Sequence, residues 1–332
     1  MSSAQSQTIS YGEAIRSGFH YLLTNYPEVF VIGQGLWSPW YVGNSMTNLD
    51  KEFGISRIID TPVSESACTG AAVGASIVGM RPIIVHPRMD FMLYAMDSIV
   101  NQAAKWSSMF GGQSHPSVTI RAIINRGGEQ GAQHSQALHA WFAHIPGLRV
   151  VMPSTVADAR DLLIASALCD DPVIYIDDRW LYDQVDTIPP VVEAPLASLT
   201  PQQLSHGSDI TVVASGYSTK VSLEALDLLK TQSGVSADLI DLRVLTPFDH
   251  SLIVDSVRRT RRLLVVDGAT RTAGFSAEVI SATVENIPVS TLLSPPSRVT
   301  LPDAPAPTAS NLENIYYFNS QSIISAILNQ LN

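Results

Sequence analysis

Glu65 is the residue whose type and position most strongly suggest chemistry. This glutamate directly precedes a long run of small residues in the stretch DTPVSESACTGAAVGASIVGMRP, residues 60–82. Pro62 and Ser64 are residue types that favour the first turn of a helix, and an acid there interacts favourably with the helix dipole. From these residues alone, Glu65 is either a helix-capping residue or a catalytic carboxylate. Features elsewhere in the sequence are needed to distinguish these two roles.

Other patterns that could carry chemistry are weaker. His134, His139 and His144 are spaced by five residues, so on a helix they would point in diverging directions and would not share a metal ion. The sequence contains neither a glycine-rich phosphate loop nor a serine nucleophile elbow. Cys68 and Cys169 have no partner at metal-ligand spacing, which indicates reduced thiols in a cytoplasmic protein. We predict no metal site in this chain.

The elements that must position these residues alternate along the first half of the chain. Short β-branched runs predict strands near residues 29–33, 81–86, 117–124, 148–152 and 172–177. Helical patterns predict helices over residues 11–24, 64–78, 92–109 and 155–168. Such an alternation is typical of a parallel sheet that is covered by helices on both faces.

The alternation stops in a proline-rich stretch, predicted as an extended linker, and then restarts. Further strands are predicted near residues 209–215, 237–242, 262–267 and 289–294, with helices near residues 218–230 and 250–259, from residue 273, and near residues 321–331. We therefore predict an α/β fold with two doubly wound, mainly parallel-sheet domains. They cover residues 1–185 and 207–332, and the linker covers residues 186–206.

Bulk properties exclude several classes of function. The chain has 332 residues, of which 45% are apolar, which is enough for two domains of about 150 residues with cores of their own. The net charge of −10 argues against a nucleic-acid or anionic-membrane partner. The most apolar helix candidate, residues 67–78, is too short to span a bilayer. We expect a soluble cytoplasmic protein.

Six sequence motifs, three in each predicted domain, carry a resemblance to a known family. The first domain contains DTPVSESACTGAAVGASIVGMRPI, MDSIVNQAAKW and GAQHSQALHAWFAHIPGLRVVMPSTVADARDLL, and the second contains DITVVASGYSTKVSLEALDLL, DLIDLRVLTPFD and RLLVVDGATRTAGFSAEV. Together they resemble the β subunit of the thiamine-diphosphate-dependent 2-oxo acid dehydrogenases, within the transketolase-like superfamily. The resemblance covers nearly the whole chain. It implies a domain that binds the cofactor's pyrimidine, followed by a transketolase C-terminal-type domain.

This resemblance implies thiamine diphosphate as cofactor and assigns roles to two residues. In the family, the glutamate that matches Glu65 forms a hydrogen bond with a ring nitrogen of the aminopyrimidine. Protonation there favours the imino form, which is the base that removes the thiazolium proton. The family histidine that matches His134 faces the reacting end of the cofactor. The resemblance therefore makes Glu65 and His134 the candidate catalytic residues.

The same resemblance implies further contacts with the cofactor. Phe91 matches the aromatic residue that stacks on the aminopyrimidine, and stacking of this kind contributes on the order of 1 kcal/mol. Tyr94, three residues later, is expected to line the same wall. With Pro87 and Glu65, these two aromatic residues are the candidate cofactor-binding residues.

Three residues depart from the family pattern at the substrate end of the site. Gln34 stands where the family usually has an acid after the first strand. His86 and Arg88 stand in a stretch where the family usually shows an acid and aromatic residues. We take Gln34, His86 and Arg88 as candidates for contact with the substrate or with the passage between cofactor sites.

The family's diphosphate-and-magnesium motif, a Gly-Asp-Gly with a downstream asparagine, does not occur in the sequence. Diphosphate needs a metal ion held by carboxylate and carbonyl oxygens. The resemblance therefore implies an α-type partner subunit that holds Mg²⁺ and the diphosphate. It also implies an α2β2 assembly with contact between the two β subunits.

Three functions remain open from the sequence. The first is decarboxylation of a 2-oxo acid with transfer of the acyl unit to a lipoyl domain. The second is transfer of an acyl or ketol unit to an aldehyde or sugar, which Gln34 and the aromatic segment 37–41 favour. The third is a non-catalytic role as stabilising partner, against which the retention of Glu65, Phe91 and His134 argues.

Overall fold

The computed structural model describes residues 6–332, which fall into two compact units. The first unit comprises residues up to 125 and residues 141–199. The second comprises residues 126–140 and 200–332. The short segment 126–140, which carries His134, therefore groups with the second half of the chain and not with its sequence neighbours.

Strands and helices alternate in the first half of the chain. The strands are β1 Gln7–Ser10, β2 Val29–Gln34, β3 Ile58–Thr61, β4 Arg81–His86, β5 Thr119–Ile124, β6 Arg149–Val151, β7 Val173–Asp178 and β8 Val185–Ile188. The helices are α1 Tyr11–Asn25, α2 Pro39–Val42, α3 Leu49–Phe53, α4 Glu65–Ile77, α5 Ala104–Met109, α6 His139–Ala143 and α7 Val156–Ala167. The α/β prediction is confirmed.

The sheet of the first unit is parallel, with strand order β6-β7-β5-β4-β2-β3. Every residue of β5 and β7 is buried, as expected for strands that are covered on both faces and consist of nearly continuous apolar runs. The carboxyl ends of β2, β3 and β4 meet at one edge of this sheet. That edge is where the candidate site lies.

Two helices pack side by side against this sheet. In α1, Ser10 and Glu13 form a capping box that satisfies free backbone N–H groups at the helix start. In α7, the side chain of Thr155 accepts a hydrogen bond from the backbone N–H of Asp158. Gly18 of α1 lies so close to α7 that an added Cβ would be 3.3 Å from the carbonyl oxygen of Arg160.

The predicted helix over residues 92–109 is not one regular helix. It consists of a 3₁₀ turn over Phe91–Ala95, a π-helix over Asp97–Ala103 and then α5. The π-helix packs on α4, where the hydroxyl of Ser98 donates a hydrogen bond to the carbonyl of Ser66 at 3.4 Å. π-Helical turns often occur at functional sites, and this one contacts the helix that begins at Glu65.

The second half of the chain forms another α/β layer structure. Its strands are β9 Gln202–Ser205, β10 Ile210–Ala214, β11 Ala237–Asp241, β12 Val244–Thr246, β13 Leu263–Thr270 and β14 Ser297–Leu301. Its helices are α8 Tyr217–Ser233, α9 Ser251–Thr260, α10 Phe275–Glu285, α11 Ser310–Tyr316 and α12 Ser320–Leu331. One sheet has the order β14-β13-β10-β11-β9, in which only the edge strand β9 is antiparallel.

One predicted strand is wrong. Residues 289–294 contain a 3₁₀ turn over Val289–Thr291, and the parallel partner of β13 is β14, which begins at Ser297. The apolar run lies between Pro288 and the Pro295–Pro296 pair, which restrict its backbone and delay the strand. Within the described range, none of the helices combines the length and the apolar character needed to cross a membrane.

Candidate active site

A cleft opens in the first unit where β2, β3 and β4 end and α4 begins. It has an empty volume of about 230 Å³, part of which is open to solvent. The residues that line it are Gly33, Gln34, Thr61, Pro62, Ser64, Glu65, Cys68, Ile84, Val85, His86 and Pro87. Ligands of parallel α/β sheets bind beyond the carboxyl ends of the strands, which makes this cleft the candidate active site.

Glu65 is the first residue of α4 and is partly buried. Among the residues that the structure describes, none makes a hydrogen bond or an ion pair with its carboxylate. Ser64 precedes it at the capping position, yet its side chain caps no backbone N–H of the described chain. Ser64 therefore occupies the position before the helix without capping it through its side chain, and Glu65 carries a carboxylate available to a ligand in the cleft.

Close approach of β2 and β4 shapes the floor of the cleft. A Cβ added at Gly33 would lie 2.4 Å from the carbonyl oxygen of Val85, so only glycine fits at this position. The next residue, Gln34, ends β2 and lines the cleft. Its side chain is a neutral amide that donates and accepts hydrogen bonds but does not titrate.

His86 ends β4 and is 2% exposed. Its Nε2 lies 3.2 Å from the hydroxyl oxygen of Thr69 on α4, which leaves Nδ1 as the ring nitrogen available to the cleft. Burial lowers the pKa of His86 from 6.5 to about 4, so the imidazole is neutral at neutral pH. Sequence reasoning missed Thr69, whose only signal is its place one turn after Glu65 on the same helix.

The neutral state of His86 predicts a pH dependence of stability. The unfolded chain binds a proton at this histidine near pH 6.5 and the folded chain only near pH 4, so the free energy of unfolding falls as pH decreases between these values. We expect this group alone to cost about 2 kcal/mol between about pH 7.5 and about pH 5. In urea unfolding at several pH values, His86→Phe should lose this part of the pH dependence of the free energy of unfolding. His115→Phe, at an exposed position, should retain it. Parallel slopes for His86→Phe and the wild type would contradict the assignment.

Three predicted residues lie in the first unit but do not line this cleft. Arg88 follows Pro87 and is partly buried, and Phe91 begins the 3₁₀ turn that leads into the π-helix. Tyr94 lies in the same turn and is 74% exposed. An exposed tyrosine and a partly buried phenylalanine on one short turn leave two aromatic side chains accessible beside α4.

His134 lies in the second unit, in the segment Arg126–Ala140, and is partly buried. Two contacts within this unit hold the start of the segment. The guanidinium of Arg126 donates a hydrogen bond to the carbonyl of Gly268 at 3.1 Å, and the backbone N–H of Glu129 donates to the carboxylate of Glu313 at 3.0 Å.

His139 holds the other end of the segment through a buried hydrogen-bonding contact with a carboxylate. Its Nε2 lies 3.0 Å from the carboxylate of Asp267 within β13, and both side chains are at most 5% exposed. Burial alone would raise the pKa of Asp267. The attraction of His139, with hydrogen bonds from His139 and from the N–H groups of Ser276 and Ala269, outweighs burial and holds that pKa below its usual range. Sequence reasoning missed this pair, because its members are 128 residues apart.

Aromatic residues follow the end of β2. Trp37, Trp40 and Tyr41 are 49%, 75% and 36% exposed. The indole N–H of Trp37 donates to the carbonyl of Ile58 at 3.4 Å, and the guanidinium of Arg179 donates to the carbonyl of Trp40 at 3.0 Å. These contacts fix the backbone of the segment and leave its rings at the surface beside the candidate site.

Comparison with known proteins decides the family. Residues 7–184 match the family "Transketolase, pyrimidine binding domain", and residues 201–323 match "Transketolase, C-terminal domain". The chain is 32% identical to the mitochondrial pyruvate dehydrogenase E1 component subunit beta of Saccharomyces cerevisiae, over 98% of this chain and 89% of that protein. The chain belongs to the β-subunit family of the thiamine-diphosphate-dependent 2-oxo acid dehydrogenases. The family predicted from the motifs is thus confirmed.

A second relative and a solved structure extend the comparison within this β-subunit family and its fold. The chain is 35% identical to the β subunit of acetoin:2,6-dichlorophenolindophenol oxidoreductase from Cupriavidus necator, over 94% of each chain. A solved structure titled "Split gene transketolase, inactive beta4 tetramer" superposes with a TM-score of 0.78 over 97% of this chain and 98% of that one. Its sequence identity of 22% makes it a likeness of fold alone.

The cleft of this β-subunit chain fits one end of the family's cofactor. Pro62, Ile84, Val85 and Pro87 give it apolar walls for a flat ring, and Glu65 presents a carboxylate that has no partner among the described residues. Residues 6–332 contain no group of three His, Cys, Asp or Glu side chains placed to hold a metal ion. The residues present therefore fit the pyrimidine end of thiamine diphosphate and not its diphosphate end.

Proposed function

We propose that this chain is the β half of a two-subunit enzyme that decarboxylates a 2-oxo acid and transfers the acyl unit to an acceptor. The observation that carries the proposal is the carboxylate of Glu65, which the described chain leaves without a partner, in a cleft lined by Gln34, His86 and Pro87. Apolar walls would not stabilise a carboxylate whose only role was to interact with the start of the helix. Facing a ring nitrogen there, it holds or donates a proton.

Thiamine diphosphate, when bound, supplies a thiazolium carbon that adds to the carbonyl of the substrate. In this proposal the carboxyl group of Glu65 would hold a proton at a pyrimidine ring nitrogen, and Pro87, which lines the same cleft, would offer apolar surface to the ring. Phe91 and Tyr94 add aromatic surface on the turn after β4. His134 would move a proton or orient the substrate at the reacting end, on a segment that the contact between His139 and Asp267 holds in place.

An α-type partner completes the site in this proposal. The absence of the Gly-Asp-Gly motif from the sequence and the lack of a metal-holding cluster in residues 6–332 both leave Mg²⁺ and the diphosphate to another polypeptide. We place the assembly, an α2β2 heterotetramer, in the cytoplasm. The lipoyl domain of an acyltransferase is the acceptor in the first form of the reaction.

A contact between two β subunits is supported by the surface of α4. Ser66, Ala67, Gly70, Ala71 and Gly74 form an exposed stripe of small side chains along this helix. An added Cβ would meet nothing within 4 Å at Gly74, so a second backbone has room to approach closely. In this proposal the contact brings the start of α4, and with it Glu65, near the centre of the assembly.

A second candidate function is transfer of an acyl or ketol unit to an aldehyde or sugar. The specific observations in its favour are Gln34, a neutral residue on the cleft floor, and the exposed rings of Trp37 and Trp40 beside it. Exposed aromatic rings are a suitable surface for a sugar or for a neutral acceptor.

A screen of donors and acceptors tests the proposal and separates these two reactions. The chain would be co-expressed with the α-type chain encoded next to it, loaded with Mg²⁺ and thiamine diphosphate, and assayed with 2-oxo acids and ketose donors. We expect decarboxylation of a 2-oxo acid with reductive acylation of a lipoyl domain. Turnover only with ketoses and aldehyde acceptors would support the second function, and an assembled, cofactor-loaded complex without any turnover would contradict both.

A further inference from the structure

Two arginines of the first unit lack the carboxylate partner that a buried guanidinium normally has. In the described part of the chain, the hydrogen bond of the Arg88 guanidinium goes to the carbonyl of Pro87, at 3.0 Å. The guanidinium of Arg179 donates to the carbonyl of Trp40 at 3.0 Å, and its buried Nη1 has no hydrogen-bond partner among residues 6–332. Neither arginine forms an ion pair with a described carboxylate, although both are partly buried.

A neighbouring arginine of the same sheet shows how this fold stabilises a structural guanidinium. Arg121 on β5 is fully buried and binds both carboxylate oxygens of Asp177, at 2.9 and 2.8 Å. Its Nη2 also donates to the hydroxyl oxygens of Tyr182 and Ser45. Buried charges are stable when they are paired in this way. Nη1 of Arg121, like that of Arg179, has no hydrogen-bond partner among the described residues, so the contrast lies in the carboxylate that Arg88 and Arg179 lack. Both arginines therefore retain the capacity to bind a carboxylate from outside the chain.

Both arginines lie at the edge of the sheet that carries the candidate site. Arg88 comes two residues after the end of β4, immediately after Pro87, which lines the cleft. Arg179 follows β7 directly. The carboxyl ends of parallel strands share one edge, so the two cationic groups and the cleft that contains Glu65 face the same side of the sheet.

The two guanidiniums are close enough to repel each other. Burial lowers the pKa of Arg88, and the positive charge of Arg179 lowers it further, while Asp90 offsets part of the effect. The ring of Tyr182 lies under Arg179, with 5.1 Å between the guanidinium carbon and the ring centroid. Gly43 permits this placement, because a Cβ there would lie 2.7 Å from Nη1 of Arg179. An approaching anion would relieve the repulsion between the two cations.

We propose that Arg88 and Arg179 bind a carboxylate of the small-molecule substrate at the edge of the cleft. Guanidinium groups recognise carboxylates through strong, charge-assisted hydrogen bonds, and the ring of Tyr182 beneath Arg179 shields that guanidinium from water. This inference rests on the proposed function and specifies how the substrate is recognised. The carboxylate is either the one that all 2-oxo acids share or a second anionic group further along the substrate.

Two 2-oxo acid substrates of equal chain length distinguish these two carboxylates. 2-Oxoglutarate carries a second carboxylate at the end of its five-carbon chain, and 2-oxopentanoate ends in a methyl group. The α-containing holoenzyme would be assayed as wild type, as Arg88→Gln and as Arg179→Gln. Arg149→Gln is the matched control. Arg149 is the first residue of β6, so it lies at the amino-terminal ends of the strands, away from the cleft, and it pairs with Asp171.

We expect each site variant to raise KM by about tenfold or more for the substrate whose carboxylate it binds, with little change in kcat, because one charge-assisted hydrogen-bonding partner is lost. A rise confined to 2-oxoglutarate assigns the arginines to a second anionic group, and an equal rise for both donors assigns them to the shared carboxylate. Arg149→Gln should match the wild type with both donors.

Unchanged KM values for both donors in both site variants would overturn the inference. So would normal KM values together with weakened binding of the α-type chain, since the arginines would then pair with an acidic side chain of the partner. Thiamine diphosphate binding, measured by calorimetry on the same complexes, distinguishes a failure of this inference from a failure of the proposed function. A wild-type complex that binds the cofactor and turns over either donor leaves the proposed function intact, whatever the arginine variants do.

Discussion

Replacing Glu65 with glutamine is expected to lower turnover of the assembled enzyme by about a hundredfold or more, the low end of the range for acid–base catalysis. Glutamine keeps the size of the side chain and its ability to form a hydrogen bond, but its amide does not hold the proton that a ring nitrogen requires. The described residues offer no partner to this carboxylate, so the substitution breaks no contact within the chain. Folding and assembly should therefore remain close to those of the wild type.

Glu13→Gln is a matched control for the helix-capping explanation of Glu65. Glu13 also lies in the first turn of a helix, but its carboxylate accepts hydrogen bonds from the backbone N–H and the hydroxyl of Ser10, both at 2.8 Å. Glutamine keeps an acceptor oxygen for these bonds but removes the negative charge, which is worth about 0.3–1 kcal/mol of stability at the start of a helix. Glu13→Gln should lower the unfolding midpoint and leave turnover unchanged, and Glu65→Gln should do the opposite. Near-normal turnover of Glu65→Gln with a lowered unfolding midpoint would return Glu65 to a role in the helix.

The sequence predicts the scaffold of the site well because the scaffold depends on local patterns. The apolar runs that end in Gln34 and His86 form β2 and β4, and the small residues after Ser64 form α4. Strand and helix alternate, so these elements form a parallel sheet whose carboxyl ends bring Gln34, Glu65, His86 and Pro87 together. The family resemblance selects which of these residues matter.

Other features of the chain depend on contacts that no local pattern encodes. The neutral state of His86 results from burial and from Thr69, and neither is visible from the residues beside it. The Asp267 partner of His139 lies 128 residues away, and the segment between Arg126 and Ala140 groups with the second unit only in three dimensions. Regular helical periodicity also conceals the π-helix that packs on α4. Tertiary structure overrides local propensity at each of these places.

Two of the departures from the family pattern, Gln34 and His86, line the cleft. Gln34 and His86 are both neutral, so Glu65 is the titratable acid among the residues that line the cleft. Arg88 adds a cation at its edge. In the inference above, Arg88 and Arg179 supply the positive charge that complements an anionic 2-oxo acid.

Cofactor binding by the chain with and without its partner tests the central claim, which is that this chain contains only the pyrimidine half of a thiamine diphosphate site. Calorimetry would compare the purified chain with the complex of the chain and its α-type partner, both in the presence of Mg²⁺. The isolated chain offers apolar walls and Glu65 to the ring but no metal-holding cluster within residues 6–332 for the diphosphate. Each missing charge-assisted contact is worth about 1.5–3 kcal/mol, so the complex should bind thiamine diphosphate at least about a hundredfold more tightly. Urea unfolding of the isolated chain would verify that it is folded. Equal, micromolar affinity of the isolated chain and the complex would contradict the claim, because the chain would then hold the whole cofactor by itself.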